Sequence, residues 1–136
     1  MILTDVYPRP IALPEPGPDL SPREVVMIQL EALQNNDLYG DDGGIRIAYT
    51  FASPSNRTYT GPVERFIHLV KQPLYRPIIG FQRATLGPML ILGAHAQVKV
   101  DLVDADGCDQ RYVWSLSRQV AAPYMGCWMT DGVMLG

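Results

Sequence analysis

Two histidines, two cysteines and fourteen acidic residues are the groups from which this chain of 136 residues could build an acid–base, nucleophilic or metal site. The best aligned of them lie in 95–103. Strand alternation there puts His95, Gln97, Lys99 and Asp101 on one face and Ala96, Val98, Val100 and Leu102 on the other. With the aliphatic face inward, the polar row meets water or a subunit interface. With the polar face inward, Asp101 is the first choice of catalytic residue, a general base whose pKa burial would raise, with His95 as a proton partner. Six residues of strand, roughly 20 Å, separate the two, so they do not act as a direct pair.

The aromatic residues offer a different chemistry. Tyr112, Trp114 and Leu116 share one strand face, and Tyr124, Gly126, Trp128 and Thr130 share a face of the next. Paired across a hairpin, Trp114 and Trp128, with Tyr112 beside them, would line a ligand pocket. The same rings would equally make the core beneath the helices or a flat dimer surface. Gly126 opposite a large ring implies close packing or a bulge.

Metal and cofactor signals are weak. Asp104-x-Asp106-Gly107-x-Asp109 has the opening of a calcium loop, but the fifth and twelfth positions are Cys108 and Ser115, so a hairpin turn is expected. Cys108 and Cys127 do not form a CxxC pair and, with only His68 and His95, are too few for zinc. Both are expected as reduced thiols. No phosphate-loop, dinucleotide, HExxH or GxSxG pattern occurs. The expectation is no metal and no cofactor.

The elements that must position these residues divide the chain in two. Half of the twelve prolines lie in the first 22 residues, which marks 1–20 as an extended, polyproline-like arm. Tyr7, Pro8, Pro10, Ile11 and Leu13 make it more apolar than a solvated linker and suggest a partner-binding segment. The folded part is 21–136. Ser21-Pro22-Arg23-Glu24 is a capping box with proline at the first helical position. The helix it opens runs to about Asn36 and buries Val26, Leu30 and Leu33, with Met27 beside them. Asp41-Asp42-Gly43-Gly44 is a loop or second cap before a short helix through Phe51, which Ser53-Pro54-Ser55-Asn56 ends. A third helix starts near Thr60-Gly61-Pro62, with Val63, Phe66, Ile67 and Val70 on one stripe and His68 on the polar side.

From Gly80 the period becomes two, with candidate strands at 81–86, 89–92, 95–103, 111–120 and 124–133. Three helices followed by a strand meander predict an α+β fold, helices packed on one face of a curved antiparallel sheet.

Composition narrows the function classes. A net charge of −3 and a pI near 5.2 argue against nucleic-acid binding, and no apolar run is long enough for a membrane span. The N-terminus lacks the basic start and uninterrupted apolar stretch of a signal peptide. The expected location is the cytoplasm, or the plastid stroma if a transit peptide has been removed.

Several blocks carry a family resemblance. Gln29-Leu-Glu-Ala-Leu33 with Asn36-Asp37, Gly44-Ile-Arg-Ile-Ala-Tyr49, Phe51-Ala-Ser-Pro-Ser-Asn-Arg57, Thr60-Gly-Pro-Val-Glu-Arg-Phe66 and Gly126-Cys-Trp-Met-Thr-Asp-Gly-Val133 resemble an uncharacterised domain-of-unknown-function subfamily of the nuclear transport factor 2-like (SnoaL-like) superfamily, found in bacteria and photosynthetic organisms. The resemblance covers about 24–133. It implies a cone-like fold with a pocket between helices and sheet, and a homodimer through the sheet or a seat in a larger complex. It implies no reaction. Read as residues, Arg57 or Arg65 would either tie the helices together through a carboxylate such as Asp37 or hold a ligand anion at a helix N-terminus. The role expected first is a non-enzymatic protein-interaction or assembly subunit using the sheet face and the arm; the alternatives are a small isomerase, dehydratase or hydrolase with a buried acid, and a passive binder of a small apolar molecule.

Overall fold

A computed structural model describes residues 13–38 and 40–136. Tyr7, Pro8, Pro10 and Ile11 of the arm lie outside the described residues, and Leu13 is exposed. Four α-helices precede five strands. They are α1 (Pro22–Gln34), α2 (Gly43–Thr50), α3 (Pro54–Thr60) and α4 (Val63–Val70), then a 3-10 turn at Arg76–Ile78, then β1 (Arg83–Leu86), β2 (Leu90–Leu92), β3 (His95–Val103), β4 (Asp109–Arg118) and β5 (Trp128–Leu135). The sheet is antiparallel, ordered β1-β3-β4-β5, with β2 also paired to β3.

The capping box of α1 forms as its sequence predicts. Glu24 N donates to Ser21 Oγ at 3.1 Å and Ser21 N to Glu24 Oε1 at 3.0 Å. Val25, Val26, Leu30 and Leu33 are buried, while Met27 turns out to be half exposed, on the rim of the stripe. The start of α2 is built by α1. Asp42 stands at the N-cap with φ 53° but offers no side-chain cap. Asn36 takes that role from across the interface: its Oδ1 accepts from Ile45 N at 2.9 Å and its Nδ2 donates to Asp42 Oδ1 at 3.1 Å. Gly44 makes the approach feasible, because a Cβ there would stand 2.0 Å from the Ala32 carbonyl oxygen.

The helix count is four rather than three. Ser53-Pro54 does end α2, but it also opens α3, with Ser53 Oγ accepting from Asn56 N at 3.1 Å. It repeats the Ser-Pro start of α1, and a serine cap followed by proline at the first helical position is a start signal as much as a stop. Arg57 on α3 locks the corner. Its Nη2 donates to the carbonyls of Tyr49 and Thr50, each at 3.1 Å, and its guanidinium lies 4.7 Å from the Tyr49 ring centroid and 5.7 Å from that of Tyr124. The tie between helices therefore runs through the C-terminal carbonyls of α2 and not through Asp37.

The sheet alternates as expected of β3. Ala96, Val98, Val100 and Leu102 face the helices and are buried, and His95, Gln97, Lys99 and Asp101 are exposed. Tyr112, Trp114 and Leu116 of β4 continue the buried face. The turn joining β3 and β4 is held by Asp104, whose carboxylate accepts from Asp106 N, Cys108 N and Gln110 Nε2 at 2.9–3.1 Å. The last strand begins at Trp128 instead of Tyr124. Residues 119–127 form a longer turn, in which Gly126 adopts φ 82° and its N–H bonds Gln119 O at 2.8 Å. A register shift between Ser115 and Leu116 makes Asp131 an extra residue on β5. The corner between α2 and α3 covers part of the β5 edge: Thr130 N donates to Phe51 O and Ser53 N to Thr130 O.

An ion pair joins the start of α2 to the end of α4, Lys71 Nζ to Asp42 Oδ2 at 2.8 Å. The Lys71 hydrogen bond, with help from Asn36, holds the Asp42 carboxyl below its ordinary value of 3.8 against the opposing effect of burial. A carboxyl with a depressed folded-state pKa contributes stability above its unfolded pKa and loses it as pH falls through the folded one. Stability measured by urea melts is therefore expected to fall on the acid side of about pH 4, and Asp42→Asn should flatten that slope. An unchanged slope in the variant would show that Asp42 has no part in it.

Candidate functional site

Between the helices and the inner sheet face lies a cavity of about 540 Å³. Its walls come from α1 (Gln29, Leu33), α2 and its corner (Ala48, Ala52), α3 and α4 (Asn56, Arg65, Phe66), Tyr75, and the strands through Trp114 and Thr130–Met134. The wall is chiefly apolar. Exposed Tyr59 and Arg65 stand at its mouth.

Polar groups in the depth are few and neutral. Gln29 is 3% exposed and sits among the apolar residues of α1. Its Nε2 donates to Thr130 Oγ1 at 2.7 Å and to Val25 O at 3.3 Å. Trp114 is 2% exposed and its indole Nε1 is buried without a hydrogen-bond partner. Leaving a buried donor unpaired costs about 1–3 kcal/mol, and this nitrogen is closed off from the cavity as well as from solvent.

The aromatic residues separate in space. Trp114 is in the wall. Tyr112 stands behind it, its ring stacked 6.4 Å from Tyr75 and its hydroxyl donating to Leu74 O at 2.8 Å. Burial pushes the Tyr112 phenol up, which keeps it a protonated donor. Trp128 lies opposite Arg118, whereas Trp114 lies opposite Val133, so the two tryptophans do not pair across the hairpin. The long 119–127 turn and the extra residue at Asp131 displace the register by which they would have met. Trp128 packs half-buried against the core instead.

Asp101 is on the outer face, exposed, and bonded to Arg111. The Arg111 guanidinium beside it holds its carboxyl below the usual carboxylate range. It thus has neither the burial nor the raised pKa that a general base at this position required. His95 and Gln97 share its face, beside a second, shallower groove of about 420 Å³ lined by Leu90, Ile91 and Leu92. The one carboxylate of the main cavity wall, Asp131, accepts from Ser117 Oγ at 2.9 Å, on the face of β4 opposite Trp114. Among the described residues no cluster of histidine, cysteine and carboxylate side chains could hold a metal ion, and Cys108 and Cys127 are free. The arrangement can hold an apolar body and bond a neutral oxygen on it; its wall contains no histidine, thiol or buried acid to move a proton.

Gln29, Thr130 and Asn56 were not singled out from the sequence. Gln29 had a readable signal, since it stands four residues from both Val25 and Leu33 on the buried stripe. No helix of the described residues is long and apolar enough to cross a membrane. A search of curated proteins finds no match to the chain. The model of one family, described as domain of unknown function DUF4864, matches residues 19–135, which takes in every helix and strand of the described residues and leaves most of the arm outside, and the chain belongs to that family.

Proposed function

We propose that the protein is a binding module for a small, predominantly apolar molecule, held in the cavity between helices and sheet. The observation that carries this reading is the chiefly apolar cavity of about 540 Å³ enclosed between helices and sheet. That volume falls within the range of small-molecule sites, and an apolar wall with a few placed polar groups is their usual composition. A nuclear transport factor 2-like cone is the fold that this reading adopts; helices preceding long antiparallel hairpins, with a cavity between them, support it. An enzyme of the isomerase, dehydratase or hydrolase kind is less well supported, because Asp131 is already engaged by Ser117. The free thiols fit a reducing compartment such as the cytoplasm or plastid stroma.

A second reading, assembly with another protein or as a homodimer through the sheet face and the arm, is favoured by β2. Leu90, Ile91 and Leu92 are all exposed on a strand that pairs only with β3, and no charged residue occurs from Gly87 to Ala94. Unprotected apolar edges of this kind mark sites of pairing.

Native mass spectrometry of protein gently purified from its own cells separates the two. A chain mass increased by a few hundred daltons is the expected result. Additional polypeptides with no small molecule would favour assembly, and the bare chain alone would count against both.

A further inference from the structure

We infer that the ligand of this cavity is an amphipathic carboxylate, its anionic end on Arg65 at the mouth and its apolar body within. The inference rests on the reading of the cavity as a ligand site and goes beyond it to the chemical class.

Arg65 is the sole cation of the wall among the described residues, and its guanidinium makes no hydrogen bond or ion pair with any of them. Its position is built by the turn before α4. Gly61 has φ 76° and ψ −161°, a conformation close to glycine-only. A Cβ on Gly61 would stand 3.0 Å from Arg65 Cδ, so the glycine also leaves room for the arginine stem. Tyr49 Oη donates to Gly61 O at 3.0 Å and pins the turn. Thr60 and Arg65, on either side of the α4 N-terminus, both line the cavity, and that N-terminus has no side-chain cap. Its positive dipole end adds to the guanidinium there. Glu64, in the same turn, is exposed and is not part of the wall.

Charge placement follows from the depth. The inner wall offers Trp114, Thr130 and Gln29, all neutral, and a buried carboxylate without a cation is costly. The anion therefore stays at the mouth, where Arg65 can bond it in a charge-assisted, two-point geometry. Asp131 does not compete at the mouth, being held by Ser117.

The test uses Trp128→Phe protein, in which Trp114 is the sole tryptophan. Its emission is titrated with three keto acids of increasing spacer length, 4-oxo-4-phenylbutanoate, 5-oxo-5-phenylpentanoate and 6-oxo-6-phenylhexanoate, and with their methyl esters. At least one acid is expected to bind about tenfold more tightly than its ester, the scale of one charge-assisted hydrogen bond. Arg65→Gln should erase that preference and leave the ester affinity unchanged, with circular dichroism showing the fold intact. Acids and esters binding equally at all three lengths would overturn the inference while leaving the cavity reading in place. If no probe alters Trp114 emission, both fall.

Discussion

Gly44→Ala is expected to destabilise the domain by at least about 3 kcal/mol, a large fraction of the roughly 5–15 kcal/mol that holds a domain folded. The added methyl would meet the Ala32 carbonyl oxygen at 2.0 Å and Asn36 Cα at 2.7 Å. Both are backbone atoms of α1 and its end, so no side chain can rotate out of the way. Moving α2 outward would relieve the clash, but it would also break the Asn36 bridge that caps Ile45 and holds Asp42. The buried faces of α1, with Val25 and Leu33, and of α2, with Ile45 and Ala48, would also be drawn apart. Gly132→Ala is the control, because a Cβ at that position meets nothing within 4 Å. Urea denaturation of the two variants measures the contrast. Equal stabilities would mean that α1 and α2 do not pack as closely as their backbone geometry requires.

Trp114 supplies the second large effect, and there two substitutions should behave differently. Trp114→Ala removes one of the largest fully buried side chains and should cost about 3–5 kcal/mol. Trp114→Phe keeps most of the apolar volume and removes a buried donor that has no partner. Deleting an unsatisfied buried group relieves its desolvation penalty, so the phenylalanine variant should lie within about 1 kcal/mol of the parent. Melting curves of both variants test this. A phenylalanine variant as unstable as the alanine one would indicate that the indole N–H is bonded in the ligand-free protein.

The elements that carry their own local signals were readable from sequence. Ser21, Pro22 and Glu24 announce α1. The alternation of His95 through Leu102 identifies both faces of β3, and the acids after Val103 announce a tight turn. Each depends on residues within a few positions of one another. The second Ser-Pro start, at α3, was hidden because the same pair also terminates α2. The pairing of Trp128 with Arg118 depends on a nine-residue turn and an extra residue at Asp131, and neither leaves a mark in strand periodicity. Arg57 looked for a carboxylate because only side chains are visible in a sequence; its partners are the backbone carbonyls that α2 leaves exposed at its end.

The candidate site was legible only in parts. Trp114 was readable as an inward aromatic residue, and Arg65 as a possible anion holder. Their common cavity was not readable, since an empty volume has no residue of its own. It arises where α3 and α4 stand over the β5 edge, and it is bounded by residues more than a hundred positions apart, Gln29 and Thr130 among them.

The claim on which this account turns is that the cavity walled by Trp114 receives a bound molecule. Protein labelled with nitrogen-15 at tryptophan gives two indole signals, and Trp128→Phe assigns them. Titration with the keto acids or their esters should move the Trp114 signal and saturate, while that of Trp128 stays in place. A Trp114 signal that does not respond to any probe, or a response confined to Trp128, would contradict the assignment of the cavity as the protein's binding site.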